Sequence, residues 1–252
     1  MNIISLPKNY LIARYIYLTE KLSELPAVSV GRHKGSPVFR VRAGDRSRIF
    51  KEGSANGIKA RNLYELRGRV TAIIEEIRKS FSEDIGKISS GFCIRPYEDT
   101  KLGREFYRSA VPDATTFEKK SRYVLNGINY RSRVEFMIAQ VLTDMGLEFK
   151  YECDIPCGDT THNADFLVYL PEFGRCFMIE YLGRLDDEGY VYRNSVKIRD
   201  YLSSGYYIGT DLLILCGNEV EMPSMDTIRS SIRHMIELLT SQHLTPVGAV
   251  TF

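Results

Sequence analysis

The chain has 252 residues, 44% hydrophobic and 26% charged, which is enough length and apolar content to bury a core and excludes wholesale disorder. No apolar run, Leu212 to Cys216 being among the longest, approaches the ~20 residues of a membrane helix, and Lys8, Asn9 and Arg14 break up any secretory leader. The net charge of +2 hides an asymmetry, because residues 1–80 hold 16 Lys/Arg against 7 Asp/Glu and residues 81–252 hold 18 against 25. Such a split suggests a basic face for a polyanion joined to an acidic part with other work. Five cysteines, at 93, 153, 157, 176 and 216, form no Cys-x-x-Cys pair, so a reduced, cytoplasmic protein without a disulfide framework is expected.

The spacing predicts a helix over 8–24, with Tyr10, Leu11, Ile12, Tyr15, Ile16 and Leu22 on its apolar face and Pro26 as its stop. Two short strands, 28–30 and 37–41, flank the Gly-bounded basic turn Gly31-Arg32-His33-Lys34-Gly35-Ser36. The densest cationic stretch is Arg32, Lys34, Arg40, Arg42, Arg46, Arg48 and Lys51, opposed by Asp45 and Glu52. Cations in this density suit phosphate contact through counterion release, without base readout. A helix over 59–80 follows, with Leu63, Leu66, Val70, Ile73, Ile74 and Ile77 near period 3.6. Residues 81–129 are less periodic and hold a soft domain boundary. The expected division is a basic helical and hairpin region over 1–120 and a second domain over 121–252.

From Tyr130 onward the pattern sharpens. Val134, Met137, Ile138, Val141, Leu142 and Met145 form a helical stripe ended by Gly146. Leu147, Phe149, Tyr151, Cys153 and Ile155 alternate as a strand, followed by strands over 163–170 and 175–182 joined through Pro171-Glu172-Phe173-Gly174. A helix over 190–204 stops at Gly205, Leu212 to Cys216 reads as a buried parallel strand, and Asp226 is placed to cap a last helix. The order is α-β-β-β-α-β-α.

Three carboxylates occupy odd places in this pattern. Asp165 lies inside the Ala164-Asp165-Phe166-Leu167-Val168 strand, where Asp fits poorly, and Glu180 ends the run Cys176-Phe177-Met178-Ile179. A hairpin sets the two strands side by side, and paired carboxylates there repel unless a cation lies between them. Oxygen-only ligands of this kind suit Mg²⁺ or Mn²⁺, while the bland reading leaves each acid facing solvent at a strand end. Lys197 shares the inward stripe of its helix with Tyr190, Val191, Asn194, Ile198 and Tyr201, and an inward ammonium needs a carboxylate nearby or must snorkel. Glu135 is the third acid, but Ser132-Arg133-Val134-Glu135 is also a capping-box pattern.

A helix bearing Glu, then three strands with Asp on the second and Glu on the third, then a helix and a strand, resembles the PD-(D/E)XK nuclease superfamily over roughly residues 130–217. In this chain the first motif reads Asn163-Ala164-Asp165 and the second Glu180-Tyr181-Leu182, so Ala164 replaces the family's proline and Leu182 its lysine. Lys197 looks like the lysine that some branches carry on the following helix. The run Glu180-Tyr181-Leu182-Gly183 with Tyr190, Lys197 and Tyr201 is similar to a bacterial and phage-type branch of nuclease-like proteins. The resemblance implies an α/β restriction-endonuclease-like αβββαβ core with a mixed central sheet, preceded by a basic α+β region. It also implies a Mg²⁺-dependent endonuclease, with Mn²⁺ as a substitute, acting on double-stranded DNA. Asp165, Glu180 and the carbonyl of Tyr181 would hold the metal. Lys197 would orient water or offset charge at phosphorus, and Glu135 would serve a second metal or its water. A homodimer suits double-strand cutting.

A more literal spelling, Pro112-Asp113 with Glu118-Lys119-Lys120, has too few residues between its acids for two strands and a turn and reads as a polar loop. Tyr192, Arg193, Tyr206 and Tyr207 are candidates for strand contact, with packing as the alternative. His162 stands three residues before Asp165, where it could approach the site, with an incidental strand-entry histidine as the alternative, and Cys153 and Cys157 lack two further zinc ligands. Phosphate-binding Gly loops and nucleophile elbows are absent. The alternative expectation is a nuclease-fold protein without catalysis, which binds nucleic acid or serves as a subunit of a DNA-processing assembly.

Overall fold

The computed structural model describes residues 5–99, 101–112, 122–218 and 220–248. The literal motif at Asp113 and Glu118–Lys120 lies outside the described residues. Two compact units emerge, Leu11–Gly91 and Met1–Tyr10 with Phe92–Phe252. The division falls at 91/92, earlier than the boundary expected at 120.

The first unit takes in most of α1 (Lys8–Glu24), the strands β1 (Ala27–His33), β2 (Ser36–Ala43) and β3 (Arg46–Lys51), and the helices α2 (Ala55–Lys79) and α3 (Ile85–Ser89). The strands make an antiparallel meander in the order β1-β2-β3. The first hairpin turns on Lys34 and Gly35, both left-handed at φ 49° and 82°. That pair of positive φ values is the turn whose twist matches paired strands, and it is strained for a lysine. Ser54 caps α2 by accepting from the Gly57 N–H at 3.0 Å. Arg67 of α2 donates to the carbonyls of Leu22 and Leu25 at 3.0 and 2.7 Å, satisfying the end of α1. β3 was not among the expected strands: Arg46-Ser47-Arg48-Ile49-Phe50-Lys51 is too polar to stand out, and ladder pairing with β2 defines it.

The second unit begins with β4 (Phe92–Ile94), α4 (Arg104–Ser109), β5 (Val124–Leu125) and β6 (Ile128–Asn129). It continues with α5 (Arg133–Asp144), β7 (Glu148–Cys157), β8 (Thr160–Leu170), β9 (Arg175–Leu182), α6 (Glu188–Ser203), β10 (Leu212–Cys216), α7 (Met225–His243) and β11 (Leu244–Pro246). Residues 92–112 belong here because β4 pairs with β11 and α4 packs on β8 and β9. The central sheet runs β10-β9-β8-β7 and is mixed: β7, β8 and β9 are antiparallel neighbours and β10 is parallel to β9. The expected parallel character of Leu212–Cys216 is therefore present, and the protein is mixed α/β.

Strand alternation divides the core. One face of the sheet carries Leu167, Tyr169, Cys176 and Met178, packed with Leu102, with Tyr107 of α4 and with Tyr201 of α6. The other carries Phe166, whose ring meets Tyr130 at 6.2 Å, and Tyr130 meets Phe136 of α5 at 6.3 Å. α7 is capped by Ser224, which accepts from the Thr227 N–H at 3.1 Å, rather than by the expected Asp226. Cys153, Cys157 and Cys176 are buried free thiols in the α4–α6 core. No helix among the described residues is long and apolar enough to cross a membrane.

Candidate functional site

Asp165 sits where the sheet loses its regular ladder on both sides. The β7–β8 pairing passes from Tyr151↔Phe166 to Cys153↔Ala164 and skips the couple Glu152 and Asp165. Glu152 there adopts φ 50°, a left-handed backbone that is strained for a side chain with a Cβ. The β8–β9 pairing ends at Phe166↔Ile179, one step short of Asp165 and Glu180. With the backbone ladder ended, the Asp165 carboxylate takes over, and its Oδ2 accepts the Tyr181 N–H at 2.7 Å. Among the described residues no donor reaches Oδ1 of Asp165. In sequence register Asp165 and Glu180 face one another on the α6 side of the sheet, in line with Leu167 and Met178 on the same face.

Glu180 is 2% exposed, and both of its oxygens are engaged. Lys197 Nζ donates to Oε2 at 2.7 Å and Tyr201 Oη donates to Oε1 at 2.8 Å. Lys197 and Tyr201 lie four residues apart on α6, so one helical face delivers both. Lys197 Nζ also donates to the Asn163 carbonyl at 2.7 Å, which fixes the ammonium between the entry to β8 and the end of β9. The inward orientation expected of Lys197 thus has a structural reason: it is an ion pair to a buried acid and not a snorkelling side chain. Burial pushes the Glu180 carboxyl above its usual range, against the pull of Lys197 and Tyr201. Asp165 is pushed well above the ordinary carboxylate value, first by burial and then by the charge of Glu180, with Lys197 opposing.

Glu135 serves the N-terminus of α5. Ser132 accepts from the Glu135 N–H at 3.1 Å, and Glu135 Oε2 accepts from the Arg131 N–H at 3.0 Å and from the Tyr151 hydroxyl. The capping role is therefore filled, although the Glu135 charge still raises Asp165. The Tyr181 carbonyl accepts from Tyr190 Oη at 3.3 Å, and the same hydroxyl accepts from the Gly183 N–H at 3.3 Å.

Behind Glu180 stands a layer of which the sequence pointed only to His162. His162 Nε2 lies 2.9 Å from Asp200 Oδ2, and its ring meets Tyr201 edge-on at 5.7 Å. The His162 and Arg199 contacts hold Asp200 below the usual carboxylate range. Arg131 Nε pairs with the buried Glu152 at 2.7 Å. Glu152 escaped notice because its left-handed φ has no residue-type signal, and the His162–Asp200 contact because it spans 38 positions. Tyr206 is 5% exposed, with its hydroxyl donating to the Pro156 carbonyl at 3.1 Å, so it packs and is removed from the strand-contact candidates. Tyr192 and Tyr207 are 71% and 60% exposed.

The donor chemistry fits a hard divalent cation. Asp165, Glu180 and Glu135 offer only oxygen, and three carboxylates against one ammonium leave an excess of negative charge when all are ionised. Burial first, and then the charges of Glu180 and Glu135, raise Asp165, while Lys197 opposes them. Among the described residues no group of three or more His, Cys, Asp or Glu is gathered so that it could hold a metal ion.

In the first unit, the seven cations at Arg32, Lys34, Arg40, Arg42, Arg46, Arg48 and Lys51 are all exposed. Ladder register separates them, because cross-strand partners share a face. Arg40 lies opposite Ser29 and Ile49, and Arg42 lies opposite Ala27 and Ser47. Lys51 lies opposite Val38 on the same face. Arg46 and Arg48 lie opposite Ala43 and Val41, on the face of Phe39, whose ring meets Tyr64 of α2 at 6.2 Å. Arg32 pairs with Pro37 on that second face. Comparison with protein-family models, curated proteins and solved structures finds no match to this chain.

Proposed function

We propose that this protein is a metal-dependent endonuclease that hydrolyses DNA phosphodiester bonds on a restriction-endonuclease-like core. The observation that carries the reading is the convergence of Asp165 and Glu180 from adjacent strands with Lys197 seated on Glu180 at 2.7 Å. Asp165, Glu180 and the Tyr181 carbonyl would hold a Mg²⁺ or Mn²⁺, with Glu135 within electrostatic reach. Bound there, the cation supplies Lewis-acid activation of the phosphodiester and of water. Lys197 contributes a fixed positive charge where negative charge builds on the scissile phosphate. Glu180 holds that ammonium in place, and Tyr201 holds Glu180. Among the described residues no donor competes for Asp165 Oδ1.

A second reading is a nucleic-acid-binding protein that keeps this architecture without hydrolysis. It is favoured by the complete pairing of Glu180 with Lys197 and Tyr201 and by Leu182 at the expected lysine position. Incubation of the full chain with plasmid and linear duplex DNA in Mg²⁺ and in Mn²⁺ separates the two. The endonuclease reading expects cleavage that Asp165→Asn, Glu180→Gln and Lys197→Ala each lower by about 100-fold or more. Tight binding with no cleavage in either metal assigns the protein to the second reading.

A further inference from the structure

The open face of the β1-β2-β3 sheet has a composition that the catalytic centre does not explain. Ser29, Arg40, Arg42 and Ser47 line a shallow cavity of about 520 Å³ together with Ala27 and Val28. Arg40 and Arg42 stand two residues apart on β2, so their Cα atoms lie about 7 Å from one another on one side of the strand. Each has a serine on a neighbouring strand directly across from it, Ser29 for Arg40 and Ser47 for Arg42. Among the described residues neither guanidinium has a hydrogen bond or an acidic partner. Three ion pairs within this unit are Lys21 with Glu24, Arg61 with Glu52, and Arg78 with Glu75. Glu52, one of only two acids in the cationic stretch, is thereby taken up by α2.

We infer that this face, made of Ser29, Arg40, Arg42 and Ser47 with Lys51 at its border, is a sequence-independent binding site for the phosphate backbone of duplex DNA, and that the opposite-face arginines lie outside it. Unpaired guanidiniums flanked by hydroxyl donors match phosphate oxygens in charge and in hydrogen-bond sense. A single strand would be held on exposed Phe, Tyr or Trp rings, and this face offers none: its one exposed large apolar side chain is Ile49, 48% exposed, while Val38 on the same face is buried. An anionic membrane would want several apolar anchors beside the basic residues, and Ile49 stands alone. The inference deepens the proposed reading, on which it rests for the choice of DNA, and it does not depend on catalysis.

The test is fluorescence anisotropy of a labelled 25-base-pair duplex with the full chain in EDTA, repeated across a salt series. Arg40→Gln with Arg42→Gln is compared with the charge-matched pair Arg46→Gln with Arg48→Gln, and melting curves check that each variant is folded. The first pair is expected to weaken binding by about tenfold and to lower the salt slope by about 2. The second pair is expected to weaken it by less than about threefold. Equal losses from the two pairs overturn the inference. So does preferential binding of a single strand of the same length, or binding to phosphatidylserine vesicles without binding to the duplex. Because no metal is present, a protein that binds as expected but never cuts sinks only the endonuclease reading. Cleavage that persists with the Arg40 and Arg42 dependence absent sinks only this one.

Discussion

Asp165 and Tyr201 act on the same site with opposite consequences for stability. Asp165 is a carboxylate pushed well above its ordinary value of 3.8 by burial and by Glu180. A carboxyl raised in the folded state is protonated there before it is in the unfolded chain, so its penalty is absent in acid and grows as pH rises above about 4, up to the raised value. Asp165→Asn removes the charge and keeps an acceptor for the Tyr181 N–H. It is expected to raise the melting temperature in EDTA at pH 7 by a few degrees, since about 1 kcal/mol moves a protein of this size by about 2–4 °C. The gap to the parent should close towards pH 4. Calorimetry across pH 4–8 checks this, and a variant less stable than the parent at pH 7 contradicts the burial argument. Addition of Mg²⁺ should stabilise the parent and leave Asp165→Asn unchanged, because a cation that binds only the folded state shifts its melting.

At the scale of elements, α6 is the part that assembles the site. Lys197 and Tyr201 reach Glu180 from one helical face, and Tyr201 is fully buried. Tyr201→Phe keeps the ring and takes away the hydrogen bond to a buried carboxylate, at a cost of about 2 kcal/mol. The melting temperature should drop by about 4–8 °C, and any cleavage should lose turnover more than affinity for DNA. An unchanged melting temperature would show that the Tyr201 hydroxyl does not hold Glu180.

The same elements explain what the residues could disclose in advance. β7, β8, β9, α6 and β10 were legible because their apolar periods are long and bounded by Gly and Pro, as at Gly158, Gly174 and Gly205. Asp165 and Glu180 stood out as acids in strands, and Lys197 as a cation in an apolar stripe. β3, β4 and β11 were not legible, since three to six polar or mixed residues carry too little pattern and acquire strand geometry only from their partners. Nor could a sequence show that Glu152 leaves the ladder at φ 50°, or that the basic residues separate by face, because strand register decides both.

For the second unit as a whole, the Arg175 network joins distant parts of the chain. Arg175 on β9 donates to Asp211 Oδ1 at 3.0 Å, to the Thr210 carbonyl at 3.2 Å and to Gln242 Oε1 at 2.7 Å. It also meets His243 Nε2 at 3.2 Å, while His243 Nδ1 meets the Arg95 carbonyl at 3.0 Å. A guanidinium can only donate and a carbonyl can only accept, so His243 is the neutral tautomer with its proton on Nδ1. Burial and the Arg175 charge hold its pKa below the usual 6.5. The unfolded chain therefore takes up this proton first as pH falls. The His243 contribution is complete above about pH 6.5 and is lost below it, by up to about 1.4 kcal/mol per pH unit until the folded ring itself titrates. Protonation would then set two cations against each other at the junction of β9, α7 and the segment after β4. Urea melts of the parent and of His243→Gln between pH 7.5 and 5 should show the parent losing stability more steeply below pH 6.5. The variant should start lower and fall less, and parallel curves would place the acid sensitivity of this unit elsewhere.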